Sequence, residues 1–482
     1  MNKFIAIPLA LALSACAVGP DYRHPNTTAA TDFGGREAAI FSTAAPTIEF
    51  WNTFQDPLLT RLVEDALRAN TDLRVAVARL DQARAITRES RLDLLPTVTA
   101  SGGYTRSRAS ADQAPGVPRD ARDSNLNNAS IDMAWELDLF GRVRSGVDAN
   151  RADAAAVAED LRALQVAVAA EVARNYFELR GAQEQLRVAQ RNADNQRTTL
   201  DLTQVRLDSG RGTEFDTDRS RADLESTLSR IPALQATIAT ATHRLAVLNG
   251  RQPTELNSEL QTPLPLPALP QSVAVGTPQE LLRRRPDVAA AERRLAAATA
   301  RVGVATADLF PRLTFGGSVG ASATSLGDMF TRDGETFAFG PSISWAFLDL
   351  GRVRARIVAA DANADANLAL YEGTVLRALE ETENALIGYS HAQLEGEHLQ
   401  QSAAASESAA KLANLRFEGG AADFLQVLDA QRSQLNAENQ LAQSQTRIAV
   451  SLVAVYKSVS GGWPQRVDQQ THAETLANGA AP

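Results

Sequence analysis

The sequence has 482 residues, of which 44% are hydrophobic and 22% are charged, and its formal net charge is −9. This composition is typical of a globular chain, and the acidic balance argues against nucleic acid as a partner, because nothing would neutralise a run of phosphates. The single cysteine excludes an internal disulfide framework and a multi-cysteine metal site.

The first residues have the pattern of a secretory signal. One lysine is followed by the apolar run Phe4–Leu13, which is too short to span a bilayer. An aspartate after the cysteine of a bacterial lipoprotein would indicate retention in the inner membrane, so Ala17 favours the outer membrane. We therefore expect acylation, for instance by palmitate, at the cysteine of a sequence that resembles a lipobox: Leu13, Ser14, Ala15 and Cys16.

One motif occurs twice, 210 residues apart. Trp135 precedes the tetrapeptide GRVR at Gly141, and Trp345 precedes the same tetrapeptide at Gly351 with the same spacing. A second match, "LLPTV" from Leu94 and "LFPRL" from Leu309, has an offset of 215 because the first half carries a longer loop. A connector with six prolines separates the halves and should be extended. We predict two copies of one structural repeat.

Each repeat begins with two stretches that alternate with period two, which predicts β-strands. The residues between the apolar positions are small or polar, as expected for a soluble sandwich and equally for a membrane barrel. The apolar positions are Val98, Ala100, Gly102, Tyr104, Ile131, Met133, Trp135, Leu137 and Leu139 in the first repeat, and Leu313, Phe315, Gly317, Val319, Phe337, Phe339, Pro341, Ile343, Trp345 and Phe347 in the second.

Long helices are predicted after the strands, over residues 142–208 and 352–418, and glycines end both of them. About 65 residues at 1.5 Å per residue would give a rod on the order of 100 Å. In each repeat we expect one further helix to return along the first. Spacings of three and four predict a coiled-coil seam in the first helix: Leu179, Ala182, Leu186, Ala189, Ala193, Gln196, Leu200, Thr203 and Leu207.

Four strands cannot close a barrel, because small closed barrels need about eight. In lipid every backbone group needs an internal partner. If these strands lie in a membrane, several copies must therefore share one barrel, which the coiled-coil helices would continue as a tube. The alternative from the pattern alone is a soluble coiled-coil protein with a small β cap.

Three further segments resemble the TolC/OprM class of outer-membrane efflux proteins, in its NodT-like lipoprotein branch. They are the start at Cys16, residues 50–73 and residues 281–313. In the second segment Asp56 is placed as a helix N-cap and Pro57 as the first helical residue. The resemblance covers nearly the whole mature chain.

The resemblance implies a fold and a function. The fold is mainly α with a small β part: a homotrimeric, twelve-stranded transmembrane barrel, with four strands per subunit, continued by a long helical periplasmic barrel. The function is that of a passive conduit for small molecules in a tripartite efflux system, neither an enzyme nor dependent on a cofactor. Partners would be outer-membrane lipid, a periplasmic adaptor and an inner-membrane pump of the RND type. Alternatives are a non-channel envelope lipoprotein and an outer channel for type I protein secretion.

The same resemblance places a gate at the periplasmic helix tips, at Phe417, Leu425 and Asp429. A ring of symmetry-related aspartates would repel and could be widened by adaptor docking. The 210 offset pairs Asp429 with Arg219, so we further expect opposite charges to hold neighbouring tips closed. Gln426 stands where some relatives carry a second aspartate, which leaves a single acidic ring.

Three other sets of residues are interpreted from position. Trp135 and Trp345 are expected at the membrane–water interface, with simple packing as the alternative. Gly141 and Gly351 are expected to mark the bends from strand to helix. A helix face with His391, Glu395 and His398 has ligand-like spacing, but a solvated face is favoured and no metal site is predicted.

The chain is thus divided into six segments. They are a lipoprotein signal peptide (1–15), an acylated extended segment (16–56), a first efflux repeat (57–250, with a β-hairpin at 97–140), a proline-rich crossover (251–278), a second repeat (279–462, with a β-hairpin at 313–349) and a polar C-terminal tail (463–482).

Overall fold

The computed structural model describes residues 18–27, 29–35 and 40–459. The predicted signal peptide, its lipobox with Cys16, and the polar tail at 463–482 lie outside the described residues. The chain forms two compact units, each assembled from three chain segments rather than from one sequence repeat. The first unit contains residues 78–158 and 290–373, and the second contains 159–289 and 374–459.

The described chain is mainly helical, with a small β part, as predicted. Its strands are β1 (Phe41–Ser42), β2 (Thr97–Arg108), β3 (Asp123–Leu137), β4 (Val273–Ala274), β5 (Arg312–Ala323) and β6 (Glu335–Ser344). Its α-helices are α1 (Pro57–Ala69), α2 (Thr71–Leu92), α3 (Arg142–Asp208), α4 (Glu214–Leu228), α5 (Arg230–Leu248), α6 (Asn257–Leu260), α7 (Pro278–Arg284), α8 (Pro286–Ala307), α9 (Leu350–Glu418) and α10 (Phe424–Val459).

The first unit contains one antiparallel sheet with the order β2-β3-β5-β6. The β2–β3 hairpin and the β5–β6 hairpin have the same register. Thr97 of β2 pairs with Ala134 of β3, and the residues 215 and 210 positions later, Arg312 of β5 and Ser344 of β6, also pair with each other. The same offsets carry Arg106↔Asn125 onto Ala321↔Glu335. The duplication in the sequence is therefore also a duplication in strand pairing.

The register divides the sheet into two chemically different faces, because successive side chains point to opposite sides. The predicted apolar positions align across all four strands, and several of them are exposed in the single chain. One such row is Ala100, Ile131, Val319 and Phe337, and the next is Val98, Met133, Gly317 and Phe339. The row between them, on the other face, is Thr99, Asp132, Ser318 and Ala338. The predicted alternation is confirmed.

The sheet has two edges with no neighbour among the described residues, β2 on one side and β6 on the other. Pro341 lies in β6, opposite Phe315 of β5.

The two long helices, α3 and α9, have 67 and 69 residues. All nine positions of the predicted seam in α3 are buried or half-buried, so the heptad interpretation is confirmed. None of the described helices is both long and apolar enough to cross a membrane.

The prediction of one returning helix per repeat is wrong for the first repeat. There the chain forms two helices, α4 and α5, interrupted at Ser229. Pro232 explains the interruption, because it offers no N–H to the carbonyl of Leu228 and its ring crowds that carbonyl. Ala442 occupies the matching position in the second repeat, and α10 is continuous over 36 residues.

The second unit contains two features around residues 41–57, one of them predicted. Asp56 caps α1 by accepting hydrogen bonds from the N–H groups of Leu58 and Leu59 at 2.9 and 3.2 Å, which confirms its assignment as N-cap. The parallel pair of β1 and β4 was not predicted; it joins Phe41 to Val273.

Candidate functional site

The repeated tryptophans make the same hydrogen bond in both repeats. The indole nitrogen of Trp135 donates to the carbonyl of Leu94 at 3.0 Å, and that of Trp345 donates to the carbonyl of Leu309, also at 3.0 Å. Each bond attaches the end of the second strand to the loop that leads into the first. The partner is a main-chain carbonyl, which no side-chain motif identifies.

The two strand-to-helix junctions differ at their glycines. Gly141 has φ +82°, so it forms the expected bend, which favours glycine. Gly351 instead lies in the first turn of α9, which begins at Leu350. The cause is Asp138, whose carboxylate accepts from the N–H groups of Val143 and Arg144 at 3.1 and 2.9 Å and delays the start of α3. Leu348 occupies the matching position in the second repeat and cannot cap.

The arginines of the first GRVR motif pair with acids at the end of β3. Arg142 bonds to Glu136 at 2.5 and 2.7 Å, and Arg144 bonds to Asp138 at 3.1 Å. Further along the polar face, Asp132 accepts a hydrogen bond from Ser130 at 2.8 Å. This face therefore carries hydroxyl and carboxylate groups, and the opposite face carries aliphatic and aromatic groups.

The two turns at the far ends of the long helices, which we call the tips, have the same backbone geometry. Gly210 has φ +67° and Gly420 has φ +74°. The following residue in each tip donates its N–H to a carbonyl five residues earlier at 2.8 Å, from Arg211 to Arg206 and from Ala421 to Arg416. This is a Schellman motif, in which a left-handed residue satisfies the last carbonyls of a helix.

Phe417 is buried at the second tip, in a small cluster with Phe424, Val427 and Leu428. Its ring lies 5.3 Å from that of Phe424, and the guanidinium of Arg206 stands 4.3 Å from its centroid. The aromatic predicted for the gate therefore joins the two tips of one chain.

Leu425 and Asp429 occupy a different environment, one turn apart on an exposed stretch of α10. Gln426 is exposed beside them, and Arg219 is half-buried on α4. Within the described ranges no hydrogen bond or ion pair joins Arg219 to Asp429. Arg432 on α10 instead pairs with Asp223 on α4, at 2.8 Å. The sequence did not predict this ion pair because the two residues lie 209 positions apart.

A partly buried ion cluster supports the second unit near the start of the second repeat. Arg285, only 10% exposed, bonds to Asp287 and Glu381 at 2.7 Å and to the carbonyl of Ser458 at 3.1 Å. Burial alone would raise the pKa of both carboxyl groups, but Arg285 outweighs it and lowers the pKa of each. Arg285, the last of three consecutive arginines that begin at Arg283, thus has a structural role.

The helix face with His391, Glu395 and His398 shows no assembled ligand set. Glu395 pairs with Arg447 at 2.7 Å. Across residues 40–459 and the short described segments before them, no group of three or more histidine, cysteine or acidic side chains could hold a metal ion.

Comparison with known proteins gives a consistent result. The family model described as "Outer membrane efflux protein" matches residues 62–251 and 277–461, one range in each half. Outer membrane protein OprJ of Pseudomonas aeruginosa is 32% identical over 467 residues, covering 95% of this chain and 96% of that protein. Solvent efflux pump outer membrane protein SrpC of Pseudomonas putida is 30% identical over 477 residues, covering 96% and 99%. The solved outer-membrane channel OprN has a TM-score of 0.87 at 44% identity, over 93% of this chain and 100% of that one.

Proposed function

Because this chain belongs to the outer membrane efflux protein family, we propose that it is the passive outer-membrane conduit of a tripartite efflux system. The family consists of channels rather than enzymes, and its members act in the outer membrane. In the proposed system a periplasmic adaptor and an inner-membrane RND-type pump deliver small molecules and supply the free energy. SrpC is named as the outer membrane protein of a solvent efflux pump, which supports such partners.

The observation that carries the proposal is the four-stranded sheet with one apolar face, one polar face and two unpaired edges. An apolar face suits lipid, and a face with Ser130, Asp132 and Glu136 suits a water-filled interior. Unpaired edges are not tolerated in hydrocarbon. Three copies would close twelve strands, and the long helices would continue the barrel into the periplasm.

We place the gate at the tips, on the exposed stretch of α10. Leu425 and Asp429 lie on this stretch and are free to face the axis of an assembly, whereas Phe417 is packed inside its own chain. A ring of three Asp429 carboxylates would narrow the opening and attract cations while the apolar Leu425 ring restricts wetting.

We also propose that the channel is anchored by acylation of Cys16. The support is the lipobox-like sequence, together with the absence of any other cysteine. Metabolic labelling with a fatty acid, compared between the native protein and Cys16→Ser, would show whether this thiol carries the lipid.

Single-channel recording in planar bilayers tests the conduit. The purified protein should insert as heat-modifiable trimers and conduct with cation preference. Asp429→Asn should reduce the preference for cations, and Asp423→Asn, an exposed acid at the same tip, serves as the matched control. A protein that neither trimerises nor conducts would favour the non-channel envelope lipoprotein.

A further inference from the structure

The apolar face of the sheet becomes basic at one end of the first hairpin. Successive positions of β2 on this face are Val98, Ala100, Gly102, Tyr104, Arg106 and Arg108. The residues of β3 opposite the last five change from aliphatic to polar: Ile131, Ala129, Asn127, Asn125 and Asp123. The hydroxyl of Tyr104 donates to Asn125 at 3.2 Å, towards the polar end. The part of this face that suits lipid therefore ends at Tyr104.

The two arginines of this end share one carboxylate. Arg108 bonds to Asp123 through Nε and through Nη2, the latter at 2.6 Å, and Nη2 of Arg106 approaches the same carboxylate at 3.4 Å. The side chains of Arg106 and Arg108 are 68% and 45% exposed. Two cations thus face one anion, and Arg106 keeps most of its five N–H donors available.

Strand length places the arginine pair at a membrane surface. Asn125, opposite Arg106, lies ten residues from Trp135 along β3. At about 3.4 Å per residue and a strand tilt of roughly 35–45°, ten residues rise about 24–28 Å, close to the roughly 25 Å height of the apolar band of a membrane barrel. If Trp135 lies at one membrane–water interface, as predicted, Arg106 lies among the headgroups of the opposite leaflet.

We propose that Arg106 and Arg108 bind the phosphate of an anionic lipid headgroup in the outer leaflet of the membrane. A guanidinium presents N–H groups in a fork that matches phosphate oxygens, and arginines on the lipid-facing side of a barrel are tolerated only near its interfaces. The long helix α3 follows the Trp135 end of β3, which leaves the arginines at the outer side. The proposal rests on the proposed function, which puts this face in lipid.

The site belongs to the first hairpin only. The loop between β2 and β3 is balanced, with two arginines and two aspartates. The second hairpin has Ala321 and Ala323 in place of the two arginines and Glu335 in place of Asn125. Its outer end is acidic, because Arg332 is the one base beside three acids: Asp328, Asp333 and Glu335. We therefore expect one headgroup site per chain.

Native mass spectrometry of the full-length assembled protein in detergent measures this binding directly, with phosphorylated lipid A as the probe. The double variant Arg106→Gln with Arg108→Gln should bind about tenfold more weakly, because two cations are lost from an anionic contact. Arg332→Gln, at an exposed arginine on the same end of the second hairpin, is the matched control and should bind as wild type does. Dephosphorylated lipid A should bind wild type only weakly.

A second variant and a competitor sharpen the test. Arg106→Gln alone keeps the ion pair between Arg108 and Asp123, and it should weaken binding about fivefold even if the double variant assembles poorly. An excess of inorganic phosphate should leave the lipid bound. Displacement of the lipid would indicate a site for free phosphate and would overturn the proposal.

The outcomes separate the lipid site from the conduit. If the protein conducts but binds phosphorylated and dephosphorylated lipid A equally, or if the double variant binds as wild type does, the lipid site is overturned and the conduit stands. If phosphate-dependent binding is lost with the two arginines in a protein that does not conduct, the headgroup site stands and the conduit is overturned.

Discussion

The indole nitrogen of Trp345 lies 3.0 Å from the carbonyl oxygen of Leu309, and Trp135 and Leu94 repeat this contact at the same distance. The bond explains why phenylalanine could not replace tryptophan at either position without loss, because phenylalanine has an aromatic ring but no donor. The location of Trp135 and Trp345 at the membrane–water interface remains a prediction, and it is compatible with these hydrogen bonds.

We expect Trp345→Phe to lower the temperature at which the assembled protein dissociates, because about 1 kcal/mol is lost with one hydrogen bond. The measurement is the mobility of unheated and progressively heated samples on gels. Phe330→Leu, at a residue that is 90% exposed, is the control and should change nothing. An unaltered dissociation temperature for Trp345→Phe and for Trp135→Phe would show that these bonds do not stabilise the sheet.

Arg285→Gln should destabilise the second unit. Removing the guanidinium takes away the cation that Asp287 bonds to, while Glu381 keeps Lys457 at 3.0 Å. We expect a cost of about 2 kcal/mol, less than the roughly 3–5 kcal/mol for breaking a fully buried pair, because both acids keep some contact with water. Arg283→Gln, at an exposed neighbour, is the matched control. Thermal unfolding at neutral pH measures the difference in stability between wild type and each variant.

The pH dependence of that difference follows from the direction of the pKa shifts. The pKa values of Asp287 and Glu381 are lowered in the folded state, so the contribution of the cluster is complete above the unfolded pKa values of about 4. It is lost as the pH falls below them. The gap between wild type and Arg285→Gln should therefore be constant from pH 7 to about pH 5 and narrow in more acidic solution.

Gly420→Ala should loosen the second tip, because an alanine at φ +74° costs about 1–2 kcal/mol. Its neighbour provides the control: Gly419 has no positive φ, so Gly419→Ala should be tolerated. Limited trypsin digestion at Arg416 measures the loosening. Equal cleavage of the two variants would contradict the geometric explanation.

Two arginine reversals distinguish contacts within a chain from contacts between chains. Arg432→Glu places an acid beside Asp223 and should separate α10 from α4, and this separation should raise single-channel conductance. Combining Arg432→Glu with Asp223→Arg reverses the ion pair and should restore the original conductance. Arg219→Glu tests the prediction that Arg219 and Asp429 hold neighbouring tips closed. If Arg219→Glu leaves conductance unchanged while Arg432→Glu raises it, the closing contact lies within each chain.

Much of the fold could be predicted because its determinants are periodic. Alternation assigned the sheet faces, the heptad seam assigned the buried side of α3, and Asp56 before Pro57 located the start of α1. These signals depend on neighbours within a few residues.

The parts that could not be predicted depend on distant partners or on the rotation of a helix. β1 and β4 are two residues long and more than 200 positions apart, so they have no periodicity. Phe417, at the end of α9, is buried by packing against Phe424 and Arg206, both distant or across a turn, whereas Leu425 on α10 is exposed. The break in the first returning helix had a visible cause in Pro232.

The joined hairpins also bear on how the molecule is built. Each repeat supplies one hairpin with two open edges, so a chain of half the length would need twice as many copies to close the same ring. Joining the repeats in one polypeptide places every second seam of the ring within one molecule, so that it forms without an encounter between molecules. It also frees the returning helices of the two repeats to diverge, and Pro232 in the first, where the second has Ala442, is such a divergence.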